Sequence, residues 1–197
     1  GHSQALFGIV QGSVFPELRI RSAERLVEMG FDGYAIGGLA VGEPAEELYE
    51  MVALCTGILP EAKPRYLMGV GTPANLLEAI ERGVDMFDCV LPTRNGRNAM
   101  LFTKRGPMTI TNAKYKEDFS PVDDTCDCPT CRRYSRAYLR HLFQVKELLG
   151  LQLATTHNLY YYQWLMRTSR AMIAQGRFSA WKQEHLNSLR QDHPVYS

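Results

Sequence analysis

Three cysteines within six residues, followed farther along by a histidine, have the types and spacing of a metal site. Cys126, Cys128 and Cys131 form a C-x-C-x₂-C pattern, and His157 follows after 25 intervening residues. Three thiolates and one imidazole make up the ligand set of a closed structural zinc site. We therefore predict one structural Zn²⁺ per chain, with no coordination position left for a catalytic water.

The alternative for these cysteines is a set of free or redox-active thiols, since a disulfide is disfavoured in the cytoplasm. His157 stands before an apolar helical pattern, and we expect it to reach the metal from the first turn of a helix. Zinc would clamp the cysteine turn to that helix, and loss of any ligand should unfold this part of the chain. The remaining histidines show no ligand spacing: His2, His141, His185 and His193.

A second group that could do chemistry is an aspartate near the end of an apolar run. Residues 84–90 contain Asp88, and a predicted turn with Arg94 and Arg97 follows them. A carboxylate at the end of a buried strand, beside a cationic loop, suits an enzyme that acts on a polyanion. Cys89 could also be a nucleophile, but no histidine lies near it in the sequence and a packing role is favoured.

The elements that must position these groups include four short apolar runs, which start near residues 5, 33, 65 and 84. An amphipathic helix joins each of the first three runs to the next, and the first helix is expected to bury Leu18, Ser22 and Leu26. This βαβ order predicts parallel strands with right-handed crossovers. A doubly wound sheet and a (β/α)₈ barrel both fit, and four units make half of a barrel.

Polar and glycine residues follow these runs at the predicted carboxyl ends of the strands, where parallel α/β proteins bind ligands. The glycines could equally form tight turns only. Nucleotide-binding loops are poorly supported, because no lysine follows the glycines at 69–71 and those at 37–38 do not continue into G-x-G-x-x-G. The residues at the predicted strand ends are Gln11, Gly37, Gly38, Met68, Gly69 and Asp88.

The second half of the chain contains a predicted β-hairpin and several helices. Residues 100–103 and 108–111 flank a basic tip at 104–107. One helix is predicted over 132–149, where arginines interleaved with tyrosines suit RNA or a protein partner, although aromatic stripes more often serve packing. A last helix is predicted over about 178–190. Its expected inner side consists of Phe178, Trp181, His185 and Leu189.

The net charge of +1 conceals an uneven distribution. Residues 1–88 sum to −7, residues 89–150 to +5 and residues 151–197 to +3. This indicates either a polyanionic partner for the second half or a solvated basic face. No run approaches the ~20 apolar residues of a membrane span, and none resembles a secretory signal, so we expect a cytoplasmic protein without a membrane partner. Gly1-His2-Ser3 resembles a cloning remnant and is set aside.

Together these motifs resemble the C-terminal half of the bacterial queuine tRNA-ribosyltransferases, also called tRNA-guanine transglycosylases. The resemblance covers about residues 5–189 and includes the spacing of the predicted zinc ligands. Its most specific motifs lie at residues 7–12 (FGIVQG), 37–43 (GGLAVGE), 66–71 (YLMGVG) and 85–97 (DMFDCVLPTRNGR).

The resemblance implies an α/β fold, namely the C-terminal half of a (β/α)₈ TIM-type barrel with an inserted zinc-binding subdomain. Residues 1–98 would form four barrel units, 99–175 the zinc subdomain with its hairpin and helices, and 176–197 the final barrel helix and tail. The family's general acid/base aspartate and a second base-reading aspartate belong to the N-terminal half, outside this sequence. These residues alone are therefore expected to be inactive or very weakly active.

The resemblance also implies an activity, the exchange of the wobble guanine in the tRNA anticodon loop for the deazaguanine base preQ1 in queuosine biosynthesis. Asp88 matches the family's nucleophile, which forms a covalent aspartyl-ribosyl intermediate. Gln11 and the backbone of Gly38 and Leu39 match groups that hydrogen-bond the base, and Met68 matches the residue packed on its face. The residues that match the tRNA-contacting loops are Gly69, Val70, Gly71, Thr72, Pro73, Ala74, Asn75, Thr93, Arg94, Asn95, Gly96 and Arg97.

Two further implications concern specificity and assembly. Glu43 would orient the Leu39 peptide, and Val41, where queuine-using relatives tend to carry glycine, favours the smaller bacterial base. A homodimer through the 132–149 helix is implied as well, with candidate contacts at Tyr134, Tyr138 and His141.

The competing hypothesis is a non-catalytic, zinc-containing RNA-binding or accessory module in which the barrel is only a scaffold. A third hypothesis, an unrelated zinc hydrolase, is weaker, because the sequence contains no open site of the His-x-x-Glu type.

Overall fold

The computed structural model describes residues 4–191, with Arg190 and Gln191 described by their backbone only. The Gly1-His2-Ser3 segment, His193 and the predicted tail after residue 191 lie outside the described residues. The chain forms two compact units that divide after Cys89. The three domains predicted from the sequence, with boundaries after residues 98 and 175, remain predictions. None of the described helices is both long and apolar enough to cross a membrane.

The first unit contains a sheet of four parallel strands in the order β1-β2-β3-β4. This order lacks the reversal that a doubly wound sheet contains. The outer edges of β1 and β4 pair with no other strand of residues 4–191. The prediction of a parallel α/β unit is confirmed, whereas the half-barrel remains a prediction. The strands are β1 Phe7–Val10, β2 Gly33–Ile36, β3 Arg65–Leu67 and β4 Met86–Phe87, so the fourth is much shorter than the predicted run of 84–90.

Three helices connect these strands: α1 Pro16–Met29, α2 Ala45–Ile58 and α3 Pro73–Glu81. Helix α1 packs beside α2, and α2 packs beside α3, so consecutive crossovers are neighbours, as expected for right-handed βαβ units. Apolar side chains of the strands meet those of the helices in one core, which stabilises the unit by removing apolar surface from water. Its fully buried members include Val10, Ile36, Val52, Cys55 and Leu67.

The buried face of α1 lies one position away from the predicted one. Leu18 is 52% exposed, whereas Arg19 and Ala23 are completely buried. Ser22 and Leu26 are half-buried. The prediction was wrong for Leu18 because hydrophobic periodicity assigns arginine to the solvent side, and here an arginine occupies the innermost position of the helix.

The second unit begins with a short helix and a hairpin and is then mainly helical. A hydrophobic core that includes Leu101, Ile110, Leu139 and Ala154 holds it together. Helix α7 is its central element and packs against α4, α5, α6, α8 and β5. The elements are α4 Leu91–Arg97, β5 Met100–Thr103, β6 Gly106–Thr109, a 3₁₀ turn Ala113–Tyr115, α5 Pro129–Arg133, α6 Arg136–Gln144, α7 Leu148–Ala174 and α8 Phe178–Gln191.

The single helix predicted over 132–149 is wrong. Helix α5 ends at Arg133 and Tyr134 is extended, with φ −131° and ψ 142°. Ser135 then caps α6, since its hydroxyl accepts a hydrogen bond from the Tyr138 N–H at 3.2 Å. Lys146, with φ +60°, separates α6 from α7. A serine followed by helix-forming residues was the available signal for this second start.

The hairpin and the last helix agree more closely with the sequence. Thr103 pairs with Gly106, so the turn consists of Lys104 and Arg105 and is shorter than the predicted tip of 104–107. In α8 the side chains of Phe178, His185 and Leu189 are buried as expected. Trp181 is half-buried and stacks on the His185 ring with centroids 5.5 Å apart.

Candidate active site and metal centre

The parallel register brings four strand ends to one edge of the first unit's sheet. Val10 is aligned with Ile36, Ile36 with Leu67, and Leu67 with Phe87. Residues that follow these strands therefore lie along the same edge, and the loops at this edge of parallel sheets commonly bind ligands. The predicted residues brought to this edge are Gln11, Gly38, Leu39, Met68 and Asp88.

Asp88 is an exposed carboxylate whose Oδ1 atom accepts two hydrogen bonds. The Tyr66 hydroxyl donates at 2.6 Å and the Gly69 N–H at 2.9 Å. The hydrogen bond from Tyr66, followed by that from Gly69, lowers the pKa of Asp88, so the carboxylate is ionised at neutral pH. The same bond raises the pKa of Tyr66 to about 12, which keeps the hydroxyl protonated. Both of these donors reach Oδ1.

Tyr66 contacts the candidate site residue Asp88, and the sequence did not single it out. It pairs with Met86 across β3 and β4, and Asp88 follows Met86 by two residues. Side chains two residues apart on a strand project from the same face, and diagonal neighbours across strands are within reach of a long aromatic side chain. The strand register was therefore the signal that could have linked Tyr66 to the aspartate.

The side-chain amide of Gln11 lies against the Gly37-Gly38 backbone. A Cβ atom added at Gly37 would come within 2.8 Å of Gln11 Nε2, and one at Gly38 within 2.6 Å of Gln11 Oε1. Gly38 also has a φ of +66°, which favours glycine. Gly38 can therefore form a tight turn and also lie at the ligand-binding edge of the sheet. The tight glycine turn leaves the space that the Gln11 amide occupies.

The loop after β2 is held at its far end by Glu43. The Glu43 carboxylate accepts hydrogen bonds from the N–H groups of Ala40 and of Val41, the latter at 3.0 Å. Burial raises the pKa of Glu43, but these N–H donors outweigh it and the pKa is lowered. The Ala40 N–H belongs to the Leu39–Ala40 peptide, so Glu43 fixes the orientation of that peptide group.

Met68 lines a cavity of about 300 Å³ on the strand face of the first unit. Tyr66 and Met86 also contribute to its wall, so the cavity extends toward the pair formed by Tyr66 and Asp88. A largely apolar cavity of this size, beside a few polar groups, is typical of a small-ligand site. Its lining residues are Ala5, Phe7, Ile9, Ala35, Tyr66, Met68 and Met86.

The segment from Gly69 to Asn75 leads from β3 into α3. Thr72 is the N-cap, and its hydroxyl accepts a hydrogen bond from the Asn75 N–H at 3.1 Å. Pro73 occupies the first helical position, as the sequence predicts. The contact of this segment with tRNA remains a prediction.

The five residues from Thr93 to Arg97 lie in a helix, not in the predicted turn. Pro92 stands near the start of α4, where its missing N–H costs no helical hydrogen bond. Arg94 and Arg97 are exposed, whereas Gly96 is buried against α7, and a Cβ there would lie 2.9 Å from the Thr155 backbone nitrogen. Gly96 thus has a packing role in the structure, and the RNA contacts of this helix remain predictions.

The four predicted metal ligands converge in the second unit. The three Sγ atoms and His157 Nδ1 all lie within 4.8 Å of one another. The distances from Nδ1 to Cys126, Cys128 and Cys131 are 3.9, 3.5 and 3.3 Å. Zinc–ligand bonds of ~2.0–2.3 Å in a tetrahedron require edges of roughly 3.5–3.8 Å. The donor set and its spacing therefore fit a tetrahedral Zn²⁺.

The imidazole is oriented for metal binding by a hydrogen bond on its other nitrogen. His157 Nε2 lies 2.8 Å from the Phe102 carbonyl oxygen, which places the ring proton on Nε2 and leaves Nδ1 free as a ligand. His157 is the tenth residue of α7, so the prediction that it lies in a first helical turn is wrong. It still clamps the cysteine turn to a helix, but to the middle of that helix.

The crowded sulfurs also indicate a cation. Hydrogen bonds with Cys126 and Cys131 lower the pKa of the Cys128 thiol to about 3, and hydrogen bonds with Cys126 and Cys128 raise the pKa of the Cys131 thiol. Cys128 is favoured as a thiolate because it accepts hydrogen bonds from neighbouring thiols, and Cys131 keeps its proton as one of those donors. A bound metal ion would stabilise all three thiolates together.

Comparisons with known proteins agree with these features. A family model described as queuine tRNA-ribosyltransferase matches residues 1–191. A queuine tRNA-ribosyltransferase of Caldanaerobacter subterraneus is 59% identical over 183 residues, which cover 93% of this chain and 49% of the relative. The relative from Mannheimia succiniciproducens is 56% identical over 195 residues, which cover 99% of this chain and 51% of that protein. The chain spans about half the length of the curated relatives it matches.

Proposed function

Because the chain belongs to the queuine tRNA-ribosyltransferase family, we propose that it supplies the nucleophile, part of the base site and the zinc lobe of a tRNA-guanine transglycosylase. The substrate is the wobble guanine of a tRNA anticodon loop, and the incoming base is the aminomethyl-deazaguanine preQ1. The observation that carries this proposal is the position of Asp88 at the ligand-binding edge, ionised and with Oδ1 held by two donors.

The chemistry of Asp88 follows from this geometry. Oδ2 attacks the ribose anomeric carbon with a lone pair, and the bond from that carbon to guanine breaks with its electron pair leaving on the base. The product is an aspartyl-ribosyl ester. The incoming base then attacks the same carbon through its ring nitrogen and releases the carboxylate, and the proton of that nitrogen passes to the group that had protonated guanine. Two inversions therefore retain the glycosidic configuration. The proton taken up by the leaving guanine comes from an acid in the remaining half of the longer protein.

The base is recognised by groups on the same sheet edge. The amide of Gln11 and the backbone N–H groups of Gly38 and Leu39 provide hydrogen bonds to the base edge, and Met68 packs on its face. The target base must leave its stack to be reached, which costs roughly a few kcal/mol and is least costly in a single-stranded loop. An anticodon loop therefore suits this site.

The two remaining surfaces have supporting roles. The start of α3 contacts the tRNA, and the exposed Arg94 and Arg97 read bases beside the exchanged one. The Cys126, Cys128, Cys131 and His157 set would hold Zn²⁺, which supplies structural stability to its lobe and no reactive water. A homodimer is proposed through α6 and the residues before it, where Tyr134 stacks on Tyr138 of the helix with ring centroids 5.5 Å apart. A cytoplasmic location follows from a tRNA substrate.

The test uses one polypeptide that joins this chain to the N-terminal half of the Caldanaerobacter relative. The unsubstituted protein should incorporate labelled guanine into tRNA and give an RNA–protein adduct that survives a denaturing gel. Asp88→Asn should abolish both signals. Asp85→Asn is the matched control, because Asp85 lies in the same segment but accepts the Arg65 N–H at 2.9 Å and has no role in the reaction.

The competing function is a non-catalytic RNA-binding or accessory module. In that case Asp88→Asn and the unsubstituted protein would bind tRNA equally and neither would form an adduct. The basic balance of the second unit's sequence favours RNA binding under either hypothesis, so only the adduct separates them.

A further inference from the structure

We propose that Arg19 is the positioning residue that aims the Gly38 and Leu39 N–H groups at the base and so selects a purine with an oxygen at carbon 6. This inference rests on the proposed function and names a residue of α1 that has no predicted role in the site. It is carried by the burial of the arginine and by its contacts with two strand-end loops.

Arg19 is 0% exposed. No ion pair of the described residues includes it, so its charge is buried without a carboxylate partner. Burial of an unpaired cation is costly. Replacement by an apolar residue would fill the same core position at lower cost, and therefore a role beyond packing is expected.

The guanidinium makes its hydrogen bonds to backbone carbonyls of two loops. Nη2 donates to the Gly37 carbonyl at 3.0 Å and to the Gly38 carbonyl at 3.2 Å. Nε donates to the Ser13 carbonyl, and Nη1 lies 3.9 Å from Cys55 Sγ. Arg19 thereby connects the loop after β1 to the loop after β2.

These carbonyl contacts fix the direction of the attached N–H groups. In a trans peptide the C=O and N–H bonds point in opposite directions. With the carbonyls of Gly37 and Gly38 turned toward Arg19, the N–H groups of Gly38 and Leu39 point away from it. Neither N–H donates a hydrogen bond to any of residues 4–191, so both are available to a ligand.

Both loops have conformations that need such support. Ser13 and Ala40 have φ of +49° and +60°, values that cost energy in residues other than glycine. Arg19 holds the start of the second loop, and Glu43 holds its end through Ala40 and Val41. The peptide groups between these two anchors are the ones that face the ligand.

The same helix also holds Gln11. Ser22 lies three residues after Arg19 and therefore on the same side of α1, and its hydroxyl accepts the Gln11 N–H at 3.1 Å. One face of α1 thus sets the relative position of the Gln11 amide and the two peptide N–H groups. N–H donors require an acceptor on the ligand. In the bases of the proposed function this acceptor is the 6-oxo group of guanine and of deazaguanine.

The experiment compares guanosine monophosphate with 2-aminopurine riboside monophosphate, which lacks that oxygen and the neighbouring N1 proton. Because the N1 proton is a donor, its loss does not alter the acceptor that the two peptide N–H groups require. ¹⁵N spectra of this chain report the Gly38 and Leu39 amides during each titration. The unsubstituted chain should prefer the guanine nucleotide by about tenfold, the effect of about one hydrogen bond. Arg19→Lys, which keeps the charge, and Arg19→Met, which keeps the length, should reduce that preference to about twofold or less. Arg21→Met is the matched control on the exposed side of α1.

A merely structural role would lower the melting temperature of the Arg19 variants without changing the preference of the folded chain for the guanine nucleotide. This result would overturn the inference.

Should neither variant fold, the guanidinium resonances of Arg19 in the unsubstituted chain decide. They must shift with guanosine monophosphate and not with the analogue. A chain that shows no preference at these amides contradicts both this inference and the proposed base site. A clear preference without any RNA adduct contradicts the proposed catalysis alone.

Discussion

The metal centre and the strand edge hold their functional atoms by different means. In the second unit four side chains supply all the donor atoms, and three of these lie within six residues. In the first unit the proposed nucleophile and the proposed base-binding groups come from four strand ends, and the Gly69 N–H donates a hydrogen bond to Asp88 there. The first kind of site depends on residue identity, and the second depends on the sheet that aligns the backbone.

This difference predicts which substitutions disrupt the candidate site of each unit and which leave most of its contacts in place. Removal of one metal ligand takes away a donor that no neighbouring atom can replace. Removal of one side chain at the strand edge leaves the backbone contacts in place, so the remaining groups keep much of their arrangement. The three predictions below test this contrast, from the largest expected effect to the smallest.

The largest effect is expected for Cys128→Ser. A structural zinc contributes roughly 10–16 kcal/mol to the folding of finger peptides, so loss of a buried thiolate should release the metal and unfold the second unit. Elemental analysis should give one zinc per chain before the substitution and almost none after it. Circular dichroism should show a large loss of helix, and a chelator should produce the same loss in the unsubstituted chain.

Cys89→Ser serves as the control for Cys128→Ser, since Cys89 is outside the metal set and should keep both the zinc and the helix. Retention of zinc and of full helicity by Cys128→Ser would mean that the metal site does not stabilise this unit, and the contrast between the two sites would be lost.

An intermediate effect is expected for Asn158→Ala. Asn158 is fully buried in α7, where Oδ1 accepts the Phe102 N–H and Nδ2 donates to the Pro92 and Met100 carbonyls at 2.9 and 3.0 Å. Alanine would leave three backbone groups without their partner, at a cost of about 3 kcal/mol. Urea unfolding measures this change.

The control for Asn158→Ala is Asn187→Ala on the exposed side of α8, which should change stability by less than about 0.5 kcal/mol. Equal stability of the two variants would show that the α7 amide contributes nothing beyond an ordinary surface residue. The zinc content should stay at one per chain in both, because neither residue is a ligand.

The smallest effect is expected for Tyr66→Phe. The substitution removes the largest of the three hydrogen bonds that lower the pKa of Asp88, and those from the backbone N–H groups of Gly69 and Asp88 remain. The pKa should rise toward its ordinary value, so protonation begins at a higher pH, while the carboxylate stays ionised at pH 7. A ¹³C titration of the Asp88 carboxyl group measures the shift.

In the joined enzyme the acid limb of the exchange rate should move to higher pH with little change at pH 7. An unchanged titration would show that Tyr66 does not act on Asp88.

The sequence predicted the metal centre well because its ligands lie close together and have rare types. The order of strands and helices in the first unit also followed from the apolar runs and from start signals such as Thr72 and Pro73. The contacts of the strand edge were less accessible, because Tyr66 and Asp88 meet only through the register of two strands. Arg19 was missed since polarity alone predicts an exposed arginine, and only the fold shows the carbonyls around it.

Errors in the second unit have a related origin. Charged and aromatic residues from 132 to 149 are good helix formers individually, so composition alone did not reveal the extended Tyr134 or the left-handed Lys146. Likewise, Pro92 and Gly96 favoured a turn in the sequence, whereas close packing on α7 makes them part of a helix. Tertiary packing decided both segments, because tertiary contacts often override local helix and turn propensities.

The outer edge of β1 pairs with no other strand among residues 4–191, and this has a consequence for how these residues behave in solution. The strand is Phe7–Val10 and contains no charged residue and no proline, the two devices that most often block unwanted strand addition. Ile9 projects outward with 44% of its surface exposed. At high concentration, we therefore expect copies of the chain to pair through their β1 edges. Aggregation, rather than unfolding, would then limit the concentration at which the chain stays in solution.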